Sequence, residues 1–411
     1  MTATQRILLG LALGAAAGIA LATWAPASAE HVADAVQPLG KLWLSALQMT
    51  VVPLVLSLVV VGANTATDAA ASGRIARRAI VVFLVLLSLG AVVAAIAAPA
   101  LFTLFPRSDS LSAALGGTSG HLPATAPIGW SDWLAGIVPT NAVMAAAQSA
   151  MLPLVVFAMF LGFALTRIPP ERRALAVEFF RAISDAMIVV VGWVLLVAPF
   201  GVFALILSVC ARAGLHMLGA LGVYVLVECI VYLMVTALML IVARTWGREP
   251  FARFAAAIAP AQVVAASTQS SLASLPAMIE SADRRLGYPT AITSLVLPMA
   301  VSLFRLTSPV QYIVSASFIA WAFGIDLGVG QLAAGAALAV VISLGSVGLP
   351  GQVTFIATNV PVAQAMGLPV GPLGIMLAVD TLPDTLATLG NVTADLAATS
   401  VVAAQSARDK A

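Results

Sequence analysis

From Ala79 to Pro106 the chain carries no charged side chain. An α-helix needs roughly 20 apolar residues to cross a bilayer, so this run suffices with length to spare. Wrapping it in protein instead would take abundant polar surface elsewhere, and the sequence has little. Of its 411 residues, 61% are hydrophobic and 9% charged, against about 25% charged in soluble domains. Lipid must cover most of the folded surface. Apolar runs lie near residues 6–24, 38–62, 78–105, 130–166, 175–209 and 216–243, and the length leaves room for about eight spans plus irregular pieces. Several runs exceed one crossing, which predicts tilt or breaks; Pro139 and Pro153 are expected to divide 130–166. No long polar tract is left over for a separate soluble domain. The predicted class is an all-α integral membrane protein.

Cys210 and Cys229 lack metal or redox spacing and read as small packing residues. His31, His121 and His216 fall in predicted loops or at helix ends, so no imidazole is expected at membrane depth. An intramembrane serine protease, which needs a Ser–His pair there, is thereby excluded. Arg6, the run Ile7 to Ala22 and Ala27-Ser28-Ala29 have the look of a secretory leader. A retained first span is the preferred reading, and both insert with the same orientation.

Two segments after Arg253 are apolar but interrupted. Residues 255–279 contain Ser267-Thr268-Gln269-Ser270-Ser271, and residues 331–360 contain Ser343-Leu344-Gly345-Ser346-Val347-Gly348-Leu349-Pro350-Gly351. Each half reads as too short to span alone. Non-helical backbone at membrane depth survives only when buried in protein or lining a cavity, and paired interrupted segments point to a transporter's binding site. Both are therefore predicted to be re-entrant hairpins. The basic residues agree with this. With a cytoplasmic N-terminus, Arg6, Arg74, Arg77, Arg78, Arg167, Arg172, Arg173, Arg181, Arg244, Arg248, Arg253, Arg284, Arg285, Arg408 and Lys410 all fall inside, leaving Lys41, Arg107 and Arg212 outside. Arginines flank the first interrupted segment on both sides, so it enters and returns to the cytoplasmic face. No Lys or Arg lies between Arg305 and Arg408, which suits a second hairpin entered from outside.

The last apolar run, 370–404, carries its polarity on one stripe. Relative to Asp380, the residues Asp384, Asn391 and Asp395 stand at +4, +11 and +15. At about 100° per residue they share an arc of roughly 60°. A carboxylate at the centre of a membrane helix costs about 2.5–3.5 kcal/mol on the mildest scale, so three of them demand a cation, a proton or a ligand. An aspartyl protease would need two carboxylates converging from different helices; these share one. The sequence partner for the stripe is Arg305, which follows an apolar span and precedes Thr307-Ser308-Pro309. A lone arginine at that depth should meet a carboxylate or bind an anion through its fork of donors. Glu228 and Asp185 are read as structural, Asp185 pairing with Arg181 at i,i+4.

With these residues in place, the chain resembles the dicarboxylate/amino acid:cation symporter family, the glutamate-transporter homologues, over nearly its whole length. Val51-Val52-Pro53-Leu54-Val55 with Val60-Val61-Gly62 is similar to the family's second helix. Ile137-Val138-Pro139-Thr140-Asn141 with Val156-Phe157-Ala158 is similar to its fourth, and Ala198-Pro199-Phe200-Gly201-Val202-Phe203-Ala204 to its fifth. Ser270-Ser271-Leu272-Ala273-Ser274-Leu275-Pro276 resembles the serine-rich tip of the first hairpin, Gly345 to Gly351 the tip of the second, and Asn391-Val392-Thr393-Ala394-Asp395 the Asn-Val-Thr-Gly-Asp of the eighth helix.

The resemblance implies eight transmembrane helices plus two re-entrant hairpins in a homotrimer surrounded by lipid in the inner membrane. Residues 1–74 would be scaffold helices 1–2, 75–126 core helix 3, and 127–212 scaffold helices 4–5. Residues 213–411 would be transport core: helix 6, hairpin 1 (251–281), helix 7 (289–322), hairpin 2 (331–360) and helix 8 (369–404). The core would move as an elevator, with the second hairpin as outer gate. Ser270, Ser271 and backbone near Leu349 would touch substrate, Asp384 would hold an amino group and Asn391 a main-chain carboxylate. Ser308 and Thr388 complete the expected substrate set. Asp395 matches a sodium ligand, with Asn391 beside it, while Ser343, Leu344 and Ser346 would offer carbonyls to a second cation.

The departures bear on coupling. Where the family's seventh helix carries Asn-Met-Asp-Gly-Thr, this chain has Phe304-Arg305-Leu306-Thr307-Ser308, so two side chains that ligate sodium become Phe and Leu. Hard cations prefer oxygen cages, and neither supplies an oxygen. The family's acidic-substrate arginine is Ala387 here. Pro383 replaces a helix former and should loosen the bonds before it. Two readings of Arg305 stand: it binds a substrate carboxylate, or it is a built-in cation pairing with Asp395 or Asp380. Under the second, a proton on Asp380 or Asp384 could couple transport, or coupling could be absent, giving exchange or facilitated flow. The expected function is secondary transport of a small amino acid, dicarboxylate or other organic anion. A sodium-independent carrier of a neutral amino acid and a channel-like anion pathway are the alternatives. No enzyme activity, cofactor or nucleic-acid partner is expected beyond a coupling Na+ or H+.

Overall fold

The computed structural model describes residues 3–71, 73–107, 115, 138–213, 215–345 and 351–408. Every long regular element among them is helical: α1 (Ala3–Trp24), α2 (Pro26–Gln48), α3 (Val51–Ala71), α4 (Arg74–Phe102), α5 (Ala142–Ala147), α6 (Met151–Leu165), α7 (Pro170–Leu196), α8 (Ala198–Ala213), α9 (Leu215–Thr245), α10 (Phe251–Thr268), α11 (Ser271–Glu280), α12 (Thr290–Leu303), α13 (Thr307–Phe323), α14 (Val329–Gly345), α15 (Gly351–Ala365), α16 (Leu373–Val379) and α17 (Thr381–Arg408). Among the described residues, eight helical stretches are long and apolar enough to cross a membrane.

Long runs break where the backbone chemistry dictates. Residues 175–209 divide at Val197, one residue before Ala198-Pro199 opens α8. The 130–166 run breaks at Gln148–Ala150, where Ser149 takes a left-handed φ of 53°. Asn141 starts α5 by accepting the Val143 and Met144 amides, as an N-cap should. Pro153 does not break this run as expected; it sits in the first turn of α6, where its missing N–H costs nothing. His31 also departs from expectation: it lies inside α2, exposed, rather than in a loop. His121 lies outside the described residues.

Small residues bring helices together. Gly10, Gly14 and Gly18 lie at four-residue intervals along the face of α1 that meets α8, and a Cβ on Gly10 would come within 2.4 Å of the Pro199 carbonyl oxygen. This is small-residue packing of the kind membrane helices use. Gly201 lies under the Trp43 ring, whose Nε1 donates to the Val194 carbonyl at 3.1 Å. Arg173 ties three helices: its Nε donates to Asn64 Oδ1 at 2.8 Å, Asn64 Nδ2 donates to Gly162 O at 2.8 Å, and Asp68 pairs with its Nη2.

Both interrupted segments are closed at their bases. α10 and α11 pack together after a turn at Gln269 (φ 51°) and Ser270, which caps α11 through the Ala273 amide. At the other end Arg253 Nη2 donates to the Leu286 carbonyl at 2.8 Å. α14 and α15 likewise pack together, and Gln331 Nε2 donates to the Met366 carbonyl at 2.7 Å. One expectation needs correction. α10 has 18 residues and qualifies by length and composition as a span, because its helix begins before the apolar run and continues to Thr268.

Candidate functional site

The last helix is surrounded: α17 packs against α4, α9, α10 and α12, and its polar stripe faces inward. Asp380, Asn391, Thr393, Asp395, Thr399 and Ser400 are all buried. The helix does not run unbroken through 369–404. It ends at Val379, turns at Asp380 and restarts at Thr381. Pro383 therefore falls in a first turn, where no amide partner is lost, and the break places Asp380 at the junction.

A second break lies against the last helix. α12 stops at Leu303 and α13 starts at Thr307, leaving Phe304 and Arg305 outside regular helix. The freed backbone is met by the last helix: the Thr307 amide donates to Asn391 Oδ1 at 3.0 Å, and the Thr307 hydroxyl donates to the Ala387 carbonyl at 3.3 Å. Arg305 is half-buried, and its charge is felt at Asp384 and Asp395 and, less strongly, at Asp380. A cavity of about 20 Å³ opens there, lined by Tyr232, Arg305, Thr307, Ser308, Gln311, Tyr312, Thr354, Asp384 and Ala387. Such a volume seats about one water molecule.

The cavity thus gathers Arg305, Ser308, Asp384 and Ala387 from the predicted set. Thr388 stands beside it, its hydroxyl donating to the Asp384 carbonyl at 2.9 Å. Ser270 and Ser271 do not line the cavity, but their turn is held near it: Gln269 Nε2 donates to Thr385 Oγ1 at 2.8 Å. Ser343 is buried and its hydroxyl donates to Val340 O; Leu344 is half-buried at the end of α14. Ser346 and Leu349 lie outside the described residues. Asp395 is fully buried, and neither carboxylate oxygen has a hydrogen-bond partner among the described residues.

The altered positions of the seventh helix are filled by apolar packing. Phe304 is fully buried and stacks on Phe83, ring centroids 4.9 Å apart and 6° from parallel. Leu306 is also fully buried and lies against Gly90 of α4. A cation here would find ring and methyl groups in place of two oxygens.

Several site residues escaped the sequence reading. Gln311 Nε2 donates to Asp380 Oδ1; its position three residues after Ser308 on one helix was the available signal. Tyr232, Tyr312 and Thr354 carried none. Glu228, read as structural, is fully buried near Asp384 and Asp380. Asp185 is exposed, and Arg181 pairs with Glu178 at 3.9 Å rather than with it.

The profile of the sodium:dicarboxylate symporter family matches residues 3–405. The chain belongs to this family. As a family member it is similar to the proton/glutamate-aspartate symporter of Escherichia coli (strain K12), 31% identical over 97% of this chain and 91% of the relative. It is also similar to C4-dicarboxylate transport protein 2 of Polaromonas naphthalenivorans (strain CJ2), 27% identical over 89% and 82%, and to the neutral amino acid transporter B(0) of Oryctolagus cuniculus, 29% identical over 95% and 76%. Symporter family members are transporters, not enzymes. With several apolar helices, this one is a multi-pass membrane protein.

Proposed function

We propose that this symporter-family member is an elevator-type secondary carrier of a small amino acid or dicarboxylate, and that Arg305 is a resident cation standing in for a sodium ion. The observation that carries the reading is that half-buried Arg305 and Asp384 line one cavity, with buried Asp380 and Asp395 close enough to feel the same guanidinium, while Phe304 and Leu306 close the neighbouring ground to a cation. Removing one partner from a buried ion set costs about 3–5 kcal/mol, so a fixed guanidinium is a strong substitute for a bound ion.

In this reading 251–281 and 331–360 are re-entrant hairpins. Their tied bases, Arg253 to Leu286 and Gln331 to Met366, favour entry and return on one side. They move with helices 3 and 6–8 as the core, against a scaffold of residues 1–74 and 127–212, in a homotrimer of the inner membrane with cytoplasmic termini. Asp384, Asn391, Ser308 and Thr388 receive the substrate, with Ser270, Ser271 and Leu349 at the hairpin tips. A sodium ion, where one is used, sits at Asp395 and Asn391 or on the carbonyls of Ser343, Leu344 and Ser346. The unpartnered oxygens of Asp395 support a cation there. The relatives' range from glutamate and aspartate through C4-dicarboxylates to neutral amino acids keeps the substrate class broad.

A second reading has its own observation. Arg305 lines the cavity beside Ala387, so its donors can reach a substrate carboxylate that the missing arginine would otherwise bind.

Uptake of aspartate, alanine and succinate into proteoliposomes, with choline replacing sodium, separates these from ordinary symport. Saturable uptake of at least one solute should survive the exchange of cations. Uptake abolished by it would refute sodium independence, and uptake that never saturates would indicate a channel.

A further inference from the structure

We infer that Glu228 and Asp380, each held by a side chain of one cavity's wall, Tyr232 and Gln311, form a proton-binding site that takes up a proton together with an anionic substrate. The inference rests on the carrier reading above and names the coupling group within it. Glu228 comes from α9 and Asp380 from the break between α16 and α17, so the pair unites elements far apart in sequence. Both residues are buried, with Glu228 completely so. Tyr232 donates its hydroxyl to Glu228 Oε1 at 2.9 Å. Glu228 Oε2 has no hydrogen-bond partner among the described residues, with Tyr224 and Gln311 near the same carboxyl. Gln311 Nε2 donates to Asp380 Oδ1, and the Tyr224 hydroxyl lies 3.2 Å from Ser315 Oγ.

The groups facing the pair are therefore Tyr224 and Tyr232 from α9, Asp384 from α17, Arg305 from the break before α13, and the neutral Gln311. Glu228 and Asp380 both feel Asp384, and one guanidinium, Arg305, acts on Asp380, Asp384 and Asp395. Burying several like charges in a dry site is prohibitive unless something positive joins them. Two neighbouring carboxyls meet this by sharing a proton, and they then titrate as a pair rather than singly. The free oxygen of Glu228 is the place for that proton. Asp384 lines the cavity and acts electrostatically on both members. A net negative substrate arriving beside Asp384 raises the benefit of a proton on the pair; its departure lowers it. The two movements are thereby linked with no sodium ion.

The test has two arms on the full-length protein. In nanodiscs, infrared titration follows the carbonyl stretch of protonated carboxylic acids. Wild type should show a signal that shifts in deuterated water and disappears in both Glu228→Gln and Asp380→Asn. In proteoliposomes loaded for succinate or aspartate uptake, an inward proton gradient of about one pH unit should raise accumulation up to about tenfold for each coupled proton. In Glu228→Gln the ratio of uptake with the gradient to uptake without it should fall to about one, whatever the absolute rate. An infrared signal unchanged in both variants, or a gradient response preserved in Glu228→Gln, overturns the inference. Wild-type liposomes that move no solute at all would instead defeat the carrier reading, and the infrared arm would still decide whether the pair holds a proton.

Discussion

α7 and α17 are both long helices, yet they are built inside out relative to each other. In the most apolar window of α7, 17% is buried within the chain; in that of α17, 83% is. α7 turns Leu175, Phe179, Val189, Trp193 and Leu196 outward. α17 turns Asn391, Thr393 and Asp395 inward. In water this distribution would be unstable. In lipid it is the low-energy one, because hydrocarbon solvates the outward side chains and protein must satisfy the inward polar ones. The lesson is that in this pair of helices burial follows polarity rather than hydrophobicity. The enclosed helix is the polar one, and its polarity is answered by Arg305, Gln311 and backbone at two helix breaks.

The largest test of that contrast is Arg305→Met. It leaves Asp380, Asp384 and Asp395 without the cation that acts on all three, and because Arg305 is only half-buried it should destabilise the protein by less than the roughly 3–5 kcal/mol of a fully buried pair. The fall should appear as a lower midpoint in detergent thermal unfolding, together with lost uptake. Adding Asp395→Asn to the same chain removes one of the stranded charges and should recover part of the midpoint. If Arg305 serves only to bind substrate, the single variant will lose uptake but unfold normally, and the double variant will show no recovery.

A smaller effect is expected at Gly390 of α17. A Cβ there would stand 2.9 Å from both Thr236 Oγ1 and Thr307 Cγ2. Those residues belong to α9 and α13, whose approach positions Tyr232 and Gln311. Gly390→Ala should overpack this contact at a cost of about 1–3 kcal/mol, seen in the same unfolding measurement, and should slow uptake. An unchanged midpoint would mean that the core around α17 is loose enough to yield.

How much of this was legible in the sequence follows the same division. The membrane class, the interrupted segments, the stripe Asp380-Asp384-Asn391-Asp395 and the isolated Arg305 could all be read, because each is a local or periodic signal. The family assignment followed from motifs that are contiguous in the chain. What stayed hidden depends on which helix meets which. Nothing about Glu228 on an otherwise apolar helix announces Asp380 as its neighbour, since about 150 residues separate them and no periodicity spans that distance. The same holds for Phe304, whose replacement of a polar ligand was visible but whose stack on Phe83 was not. Pro383 misled for a local reason. Its effect depends on where the helix starts, and the break at Asp380 moved it into a first turn, where proline is harmless. Pro153 misled in the same way.

The smallest predicted effect lies on the other helix of the pair, at Gly192 of α7, where an added Cβ meets nothing within 4 Å. With no clash to resolve, Gly192→Ala changes only the backbone's freedom, and alanine in a helix interior is favoured over glycine by roughly 0.5–1 kcal/mol. The unfolding midpoint in detergent should therefore rise slightly, and uptake should be unaffected. The substitution also reports what lies against α7. If lipid or detergent does, the midpoint rises as stated. If another copy of the chain packs closely at Gly192, the methyl group will collide with it, the midpoint will fall, and the oligomer will dissociate more readily on size exclusion. Where lipid or detergent lies against Gly192, the same chemical change has opposite signs at Gly192 and Gly390, because one glycine is enclosed by its own chain and the other is not.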